Sequence, residues 1–481
     1  MNRPLRHLWL VVSVLFVLLF TSTTYFQVVA QGRLNADGRN VRTIYNEFGR
    51  HRGPIVVDGT AIASSARSDD SYGYLRSYDP GAMYAPVTGY YSVVYGFSGL
   101  ERALNDTLSG DADALFYQRI SDILSGKQGQ GATVELTIDA KAQEAAYDAL
   151  DGKKGAAVAL DPETGAVLAM VSAPSYDPDD LASHSTKDVQ AAWSELNDDP
   201  DRPLTNRAIA GDLYPPGSSF KLVTAAAALE SGGYTPETQI PGPGTYTLPQ
   251  SSSVMNNHAG GGTEACGPDD SSTLQAALEQ SCNTSFALLG QEVGEDQLRT
   301  TAEEFGFGQK LSIPLSVTPS TIGDDLDASQ LATTSIGQYE DRVTPLQMAM
   351  VASAMANDGA VMQPQLVQKV STSDLSTISE LTPKELGRPL SASNAALMRQ
   401  MMEGVVSEGT GTAAQIDGAE VGGKTGTAEW GDGRTAHSWF VGYAQQDDRK
   451  VAVAVVVEEG GYGSRTAAPI ARDVMEAVIQ P

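Results

Sequence analysis

Ser218 and Lys221 stand three positions apart in the run Tyr214-Pro215-Pro216-Gly217-Ser218-Ser219-Phe220-Lys221. The prolines and the glycine predict a turn and residues 220–229 a helix, so the two side chains share a helix face. A serine hydroxyl is a weak nucleophile that needs a base within hydrogen-bond reach. A lysine serves as that base only where burial or nearby positive charge lowers its pKa. The start of a helix also aims backbone N–H groups at developing negative charge. Of the 11 lysines only Lys221 has a serine three positions before it. The same spacing is common on solvated helix faces, so this pair alone does not define a site.

Two further clusters follow in order. Ser281-Cys282-Asn283 offers a hydroxyl and an amide that would hold a peptide carbonyl and relay a proton to the lysine. The plain alternative is a helix start, with Asn283 as cap. Lys424-Thr425-Gly426-Thr427 follows Gly422-Gly423. A lysine with two hydroxyls suits a carboxylate ligand, and glycine in a strand admits close approach by another backbone. The plain alternative is a glycine-softened edge strand.

The elements that must position these residues are legible as patterns. Residues 155–160 form an apolar run, Asp161-Pro162-Glu163-Thr164-Gly165 a turn, and 166–172 a returning strand. Residues 420–427, 438–444 and 451–458 read as strands, the last two joined across 445–448, and a final helix is expected over 467–479. Residues 218–410 read mostly as helices and loops. Strands at both ends with helices between predict an antiparallel sheet whose halves meet in space. Upstream, 100–108 has helical spacing, 134–139 alternates like a strand, and Asp139 caps a helix over 140–150. Residues 71–95, rich in Tyr, Gly and Ser, read as extended segments and loops.

Residues 8–30 are 23 positions without a charge, preceded by Arg3 and Arg6. About 20 apolar residues span a bilayer as a helix. The basic flank favours a cytoplasmic N-terminus, which puts the rest of the chain outside the cytoplasm. A cleaved signal peptide is the competing reading, with Val28 and Ala30 at a spacing a signal peptidase accepts. A length of 481 residues exceeds the ~250–300 at which a single core stops growing, so two or more domains are expected. The hydrophobic fraction of 41% excludes wholesale disorder. A formal charge of -27 argues against nucleic acid as a partner. The five histidines are far apart, so no metal site is expected. Cys266 and Cys282 are the only cysteines. Outside the cytoplasm they are expected to form a disulfide tying the second cluster to the loop 260–268; two free thiols are the alternative.

Each cluster is weak alone, but all three occur in order and in fitting context. Together they resemble the S-x-x-K, S-D-N and K-T-G signatures of the penicilloyl-serine transferases, with cysteine in place of the aspartate in the second. Further stretches resemble class B penicillin-binding proteins, in particular the short penicillin-binding protein A type. These are Arg52-Gly53-Pro54-Ile55, Gly99-Leu100-Glu101, Leu136-Thr137-Ile138-Asp139, the 161–170 hairpin, Asn206-Arg207-Ala208, Gly337-Gln338, Thr344-Pro345-Leu346-Gln347 and Asn357-Asp358-Gly359. Between the anchor and residue 52 no glycosyltransferase domain is expected, and no cell-wall-binding repeats after the last helix.

The resemblance implies an α+β protein: a cytoplasmic tail (1–7), a transmembrane signal-anchor (8–30), a small mixed pedestal domain (31–150) and a transpeptidase domain (151–481). The last carries a five-stranded antiparallel sheet flanked by helices. The implied activity is peptidoglycan D,D-transpeptidation in cell-wall synthesis, with a cell-division role, and covalent inhibition by β-lactams. Ser218 is the implied nucleophile, Lys221 the general base and Ser281 the proton relay. Asn283 holds the substrate amide. Lys424, Thr425, Gly426 and Thr427 form the carboxylate-binding strand, and the N–H groups of Ser218 and Thr427 the oxyanion hole. No cofactor or metal is implied. The implied partners are stem peptides, β-lactams and inner-membrane cell-wall synthesis proteins. A D,D-carboxypeptidase would use the same residues with water as acceptor. A β-lactamase would need a water-activating carboxylate, and none is assignable. A non-catalytic divisome scaffold is a third reading.

Overall fold

The computed structural model describes residues 3–30, 47–115, 129–258, 261–431 and 433–480. Expectations for Met1 and Asn2 of the tail, for 31–46 and 116–128 of the pedestal region, and for Gly260 of the cysteine loop lie outside these residues.

The chain divides into two compact units, Met1–His51 with Ala66–Leu75, and Arg52–Ser65 with Arg76–Pro481. In the first unit, the helix Arg3–Thr24 continues as a wider turn over Tyr25–Val29. This 27-residue stretch is long and apolar enough to cross a membrane. Elsewhere in the unit Phe48 meets Tyr72 edge-on, with ring centroids 6.4 Å apart.

The second unit is built on a five-stranded antiparallel sheet in the order Glu420–Ala428, His437–Gln446, Arg449–Val457, Gly155–Leu160 and Val167–Ala173. The two strand groups, remote in sequence, meet where Val457 pairs Gly155 and Ala452 pairs Leu160. Gly155–Leu160 is apolar at every position because both faces of the sheet are covered. Ala156, Val158 and Leu160 pack into one core cluster, Ala157 and Ala159 into another. The second cluster is closed by the helices Ala140–Ala149 and Ala467–Ile479. The first is closed by Pro345–Ala356, a helix buried at all 12 positions, as an all-round apolar sequence requires.

A second, mixed sheet contains Ile55–Val57, which pairs parallel to Thr133–Leu136 and antiparallel to Thr60–Arg67. Val367–Ser371 joins Thr133–Leu136 from the far side, so part of the expected helix-and-loop region contributes strands. Short strand pairs also occur at Gln239–Pro241 with Ser271–Thr273 and at Thr245–Thr247 with Val254–Asn256. Strands this short carry too little period-two alternation to separate them from loops. Two local expectations are corrected. The helix over 100–108 is two short helices, Gly99–Ala103 and Asn105–Ser109, broken at Leu104. The extended reading of 71–95 missed the helix Gly81–Thr88, which carries Pro86 inside it. A proline within a helical pattern argues against a helix, and burial of Tyr84, Ala85 and Val87 overrides it.

The sequence pairs Arg52-Gly53 and Gly99-Leu100-Glu101 meet in this unit. Glu101, fully buried, accepts from Arg52 Nε at 2.5 Å and from Arg76 Nε at 2.7 Å. Burial acts to raise its pKa, but the two guanidinium groups together outweigh that and hold the carboxyl below the usual range.

Candidate active site

Ser218 lies on a single 3-10 turn, Gly217–Phe220, that runs into the helix Lys221–Glu230. The expected α-helical start is thus one tighter turn. Nine of that helix's ten residues are buried, which carries Lys221 into the interior. The turn is fixed from three sides. Gly217, at φ 54°, donates its N–H to Gly337 O at 2.9 Å. Trp439 Nε1 donates to Pro215 O at 3.1 Å. A Cβ on Gly426 would stand 3.1 Å from Pro216 O and 2.8 Å from Trp439 Cβ. The glycine therefore lets the Glu420–Ala428 strand press against the serine turn.

That strand is the edge of the sheet, with Lys424 opposite Val441 and Thr427 opposite Ser438. The plain reading of an edge strand is thus correct and compatible with a binding role. Lys424 is fully buried, and its Nζ donates to Thr425 O at 3.0 Å. Burial brings its pKa down to about 7.

Ser281 sits between the helices Leu274–Glu279 and Asn283–Val293, at φ 61°. A non-glycine residue in the left-handed region is strained and turns the chain sharply. The turn points the second cluster back at Lys221. Lys221 Nζ donates to Ser281 O and to Asn283 Oδ1, each at 2.8 Å, and stands 3.4 Å from Ser281 Oγ. Ser218 Oγ is not among its hydrogen-bond partners within the described residues. Burial first, and the charge on Lys424 second, hold the Lys221 amine well below its usual range. Asn283 opens its helix, and Cys282 occupies the cap position, so the cap reading was one residue off.

The structure joins Cys266 to Cys282, with Cα atoms 5.9 Å apart. The bridge anchors the segment 261–270 beside Ser281.

Three contributors were invisible in sequence. Asn256 and Asn257 hold the second cluster: Asn283 Nδ2 donates to Asn256 O at 3.3 Å and Asn283 N to Asn257 O at 2.8 Å. Thr410 meets Thr425, hydroxyl to hydroxyl, at 2.7 Å. None carries a spacing signal, because each approaches from a segment remote in the chain. The glycines flanking Thr410 mark only a turn. A cleft of about 710 Å3 adjoins the serine turn through Tyr214 and Pro215 and is also lined by Trp430, His437 and Glu458. His437 lies in this cleft beside Tyr214, their ring centroids 5.5 Å apart. Its Nδ1 accepts from Glu459 N–H at 3.1 Å and its ring stacks on Trp430.

Residues 155–476 match the penicillin-binding protein transpeptidase domain, and residues 52–134 match the penicillin-binding protein A dimerisation domain. The chain is 43% identical over 494 residues to peptidoglycan D,D-transpeptidase PbpA of Mycolicibacterium smegmatis, covering 100% of this chain and 99% of that protein. It is 40% identical to the PbpA of Mycobacterium tuberculosis over the same shares. Among solved structures, the imipenem acyl-enzyme complex of penicillin-binding protein A from M. tuberculosis superposes with a TM-score of 0.85 at 40% identity, covering 90% of this chain and 99% of that one. Its penicillin G acyl-enzyme complex gives 0.84 at 40% identity, covering 89% and 99%.

Proposed function

This chain belongs to the penicillin-binding protein transpeptidases, and from that premise we propose that it cross-links peptidoglycan stem peptides through an acyl-enzyme on Ser218. It is a serine D,D-transpeptidase that β-lactams acylate, in line with the acyl-enzyme complexes of its relatives.

One observation carries the residue assignment: the hydrogen bonds of Lys221. A neutral amine has two hydrogens and one lone pair. Two acceptors at 2.8 Å, Ser281 O and Asn283 Oδ1, take both hydrogens. The lone pair is left as the proton acceptor, and the lowered pKa keeps it available. Ser218 Oγ attacks the carbonyl carbon between the terminal D-alanines as its proton passes to Lys221 Nζ. The C–N bond breaks, and D-alanine leaves as an amine carrying that proton, relayed through Ser281 Oγ. An acceptor amine then attacks the ester carbonyl, loses a proton to the same base, and Ser218 Oγ regains it. The N–H groups of Ser218 and Thr427 stabilise the oxyanion. Asn283 holds the substrate amide, and Lys424, Thr425 and Thr427 hold the terminal carboxylate, with Gly426 giving close access.

The apolar N-terminal helix fits a membrane-anchored protein. Arg3 and Arg6 favour a cytoplasmic N-terminus with the catalytic region outside. In this reading 31–150 is the pedestal and 151–481 the catalytic domain, and inner-membrane cell-wall synthesis proteins involved in division are the partners. The deciding experiment follows acyl-enzyme turnover with and without an acceptor amine. Turnover that depends on the amine is expected; equal turnover in water alone would make the enzyme a carboxypeptidase.

A further inference from the structure

Thr410 follows the helix Ala392–Ser407 on a tight turn. Its backbone N–H donates to Glu279 O at 3.2 Å, two residues before Ser281. Its side chain accepts from Thr425 Oγ1 at 2.7 Å. One residue thus bonds the segments that carry the second and third clusters. The backbone around it has little freedom. A Cβ on Gly409 would stand 2.6 Å from the same Glu279 oxygen, and Gly411 N donates to Val405 O at 2.9 Å.

The direction of the hydroxyl bond matters. A threonine hydroxyl has one hydrogen and two lone pairs. In this geometry Thr425 spends its hydrogen on Thr410. It then turns only lone pairs toward an arriving carboxylate, which repels it. We propose that Thr410 is a specificity-determining positioning residue whose hydroxyl reverses this bond when a carboxylate enters. Thr410 then donates to Thr425 Oγ1, and Thr425 donates to the carboxylate. No covalent bond changes; the Thr410 side chain turns to aim its O–H at Thr425, and the Thr425 O–H rotates toward the carboxylate. Chained hydrogen bonds polarise one another, so the donor presented to the anion is stronger than a lone hydroxyl. A substrate lacking the carboxylate gains nothing from the reversal, and the pair therefore favours chains that end in a free carboxylate. The inference rests on the reading of Lys424–Thr427 as the carboxylate site.

The test uses the full-length protein in detergent and two probes, an acylated peptide ending in D-alanyl-D-alanine and the same peptide with a C-terminal carboxamide. Thr410→Val removes the hydroxyl but keeps the volume and the backbone bond to Glu279. It is expected to lower the ratio of kcat/KM for acid over amide about fivefold, the usual scale for a hydrogen bond between neutral groups, with the change mostly in KM. Thr410→Ser should restore the ratio. An unchanged ratio, or an equal fall for both probes, would overturn the proposal, the second result marking a merely structural tie. Should Thr410→Val fail to accumulate folded, Thr410→Ala applies the same criterion. A wild-type enzyme that does not prefer the acid would instead overturn the carboxylate-site reading itself, whatever the Thr410 variants do.

Discussion

Lys221 Nζ donates to Asn283 Oδ1 at 2.8 Å across 62 positions of sequence, with the lysine fully buried. The contact fixes an amine whose pKa is lowered chiefly by burial, and it holds the helix that follows Ser218 to the second cluster. The expected consequences of this arrangement begin with the serine.

Ser218→Ala should abolish covalent labelling by a fluorescent penicillin while the thermal unfolding midpoint stays close to wild type. Ser218 is partly exposed on a turn held by backbone bonds, so losing its hydroxyl removes little packing. Labelling that survives would place the nucleophile elsewhere.

Lys221→Ala should slow acylation by roughly 10²–10⁴-fold, the range for losing a general base. The pH profile separates the two lysines. With Lys221 as the proposed base, acylation needs its neutral form, so the rate should rise with pH through its lowered pKa. The charge on Lys424 contributes to that lowering. Lys424→Met removes the charge, raises the Lys221 pKa and should move the rising limb to higher pH. A limb that stays in place, or moves to lower pH, would refute the coupling.

Asp341 is fully buried in the segment that braces the serine turn, between Gly337 and Val343. Burial pushes its carboxyl well above the usual carboxylate range, against the smaller opposing effect of Arg342. The folded state therefore retains a proton that the unfolded state releases above about pH 3.9. Stability from this group is fully present below that pH and is lost as pH rises toward the folded pKa. Asp341→Asn removes the loss, so the variant should gain in unfolding temperature relative to wild type at pH 8 and not at pH 3. A pH-independent difference would contradict this.

With the Cys266–Cys282 bridge intact, alkylation before reduction should modify neither thiol, as intact mass will show. Closing a loop across a separation of 16 positions is worth about 3 kcal/mol in the chain-entropy model. Reduction should lower the unfolding temperature and slow acylation, because the bridge ends next to Ser281. Unchanged acylation after complete reduction would confine the bridge to a stability role.

Glu101→Ala should be severely destabilising, by about 3–5 kcal/mol, since it strands two buried guanidinium groups. Denaturant unfolding measures this. A loss below about 1 kcal/mol, the scale of exposed pairs, would show that water or other groups satisfy Arg52 and Arg76.

The sequence by itself determined the five strands of the catalytic sheet nearly to their ends, because long apolar runs such as 155–160 and 451–457 carry their own pattern and turn signals. It determined the order of the three clusters and, through their resemblance to one enzyme family, the chemistry. It also placed Asp139 as a cap, which accepts from Ala142 N at 2.9 Å. Only the tertiary structure decided which groups meet. The Lys221 amine bonds Ser281 O rather than Ser218 Oγ because Ser281 adopts a left-handed backbone that no spacing rule announces. Thr410, Asn256 and Asn257 enter from segments whose positions depend on packing between remote parts of the chain. The short strand Val367–Ser371 exists as a strand because Thr133–Leu136 offers it a partner. Local propensity is carried by neighbours along the chain and survives in the sequence. Burial, the charge of Lys424 acting on Lys221, and hydroxyl-to-hydroxyl contact are properties of distance in space, and arise only when the chain has folded.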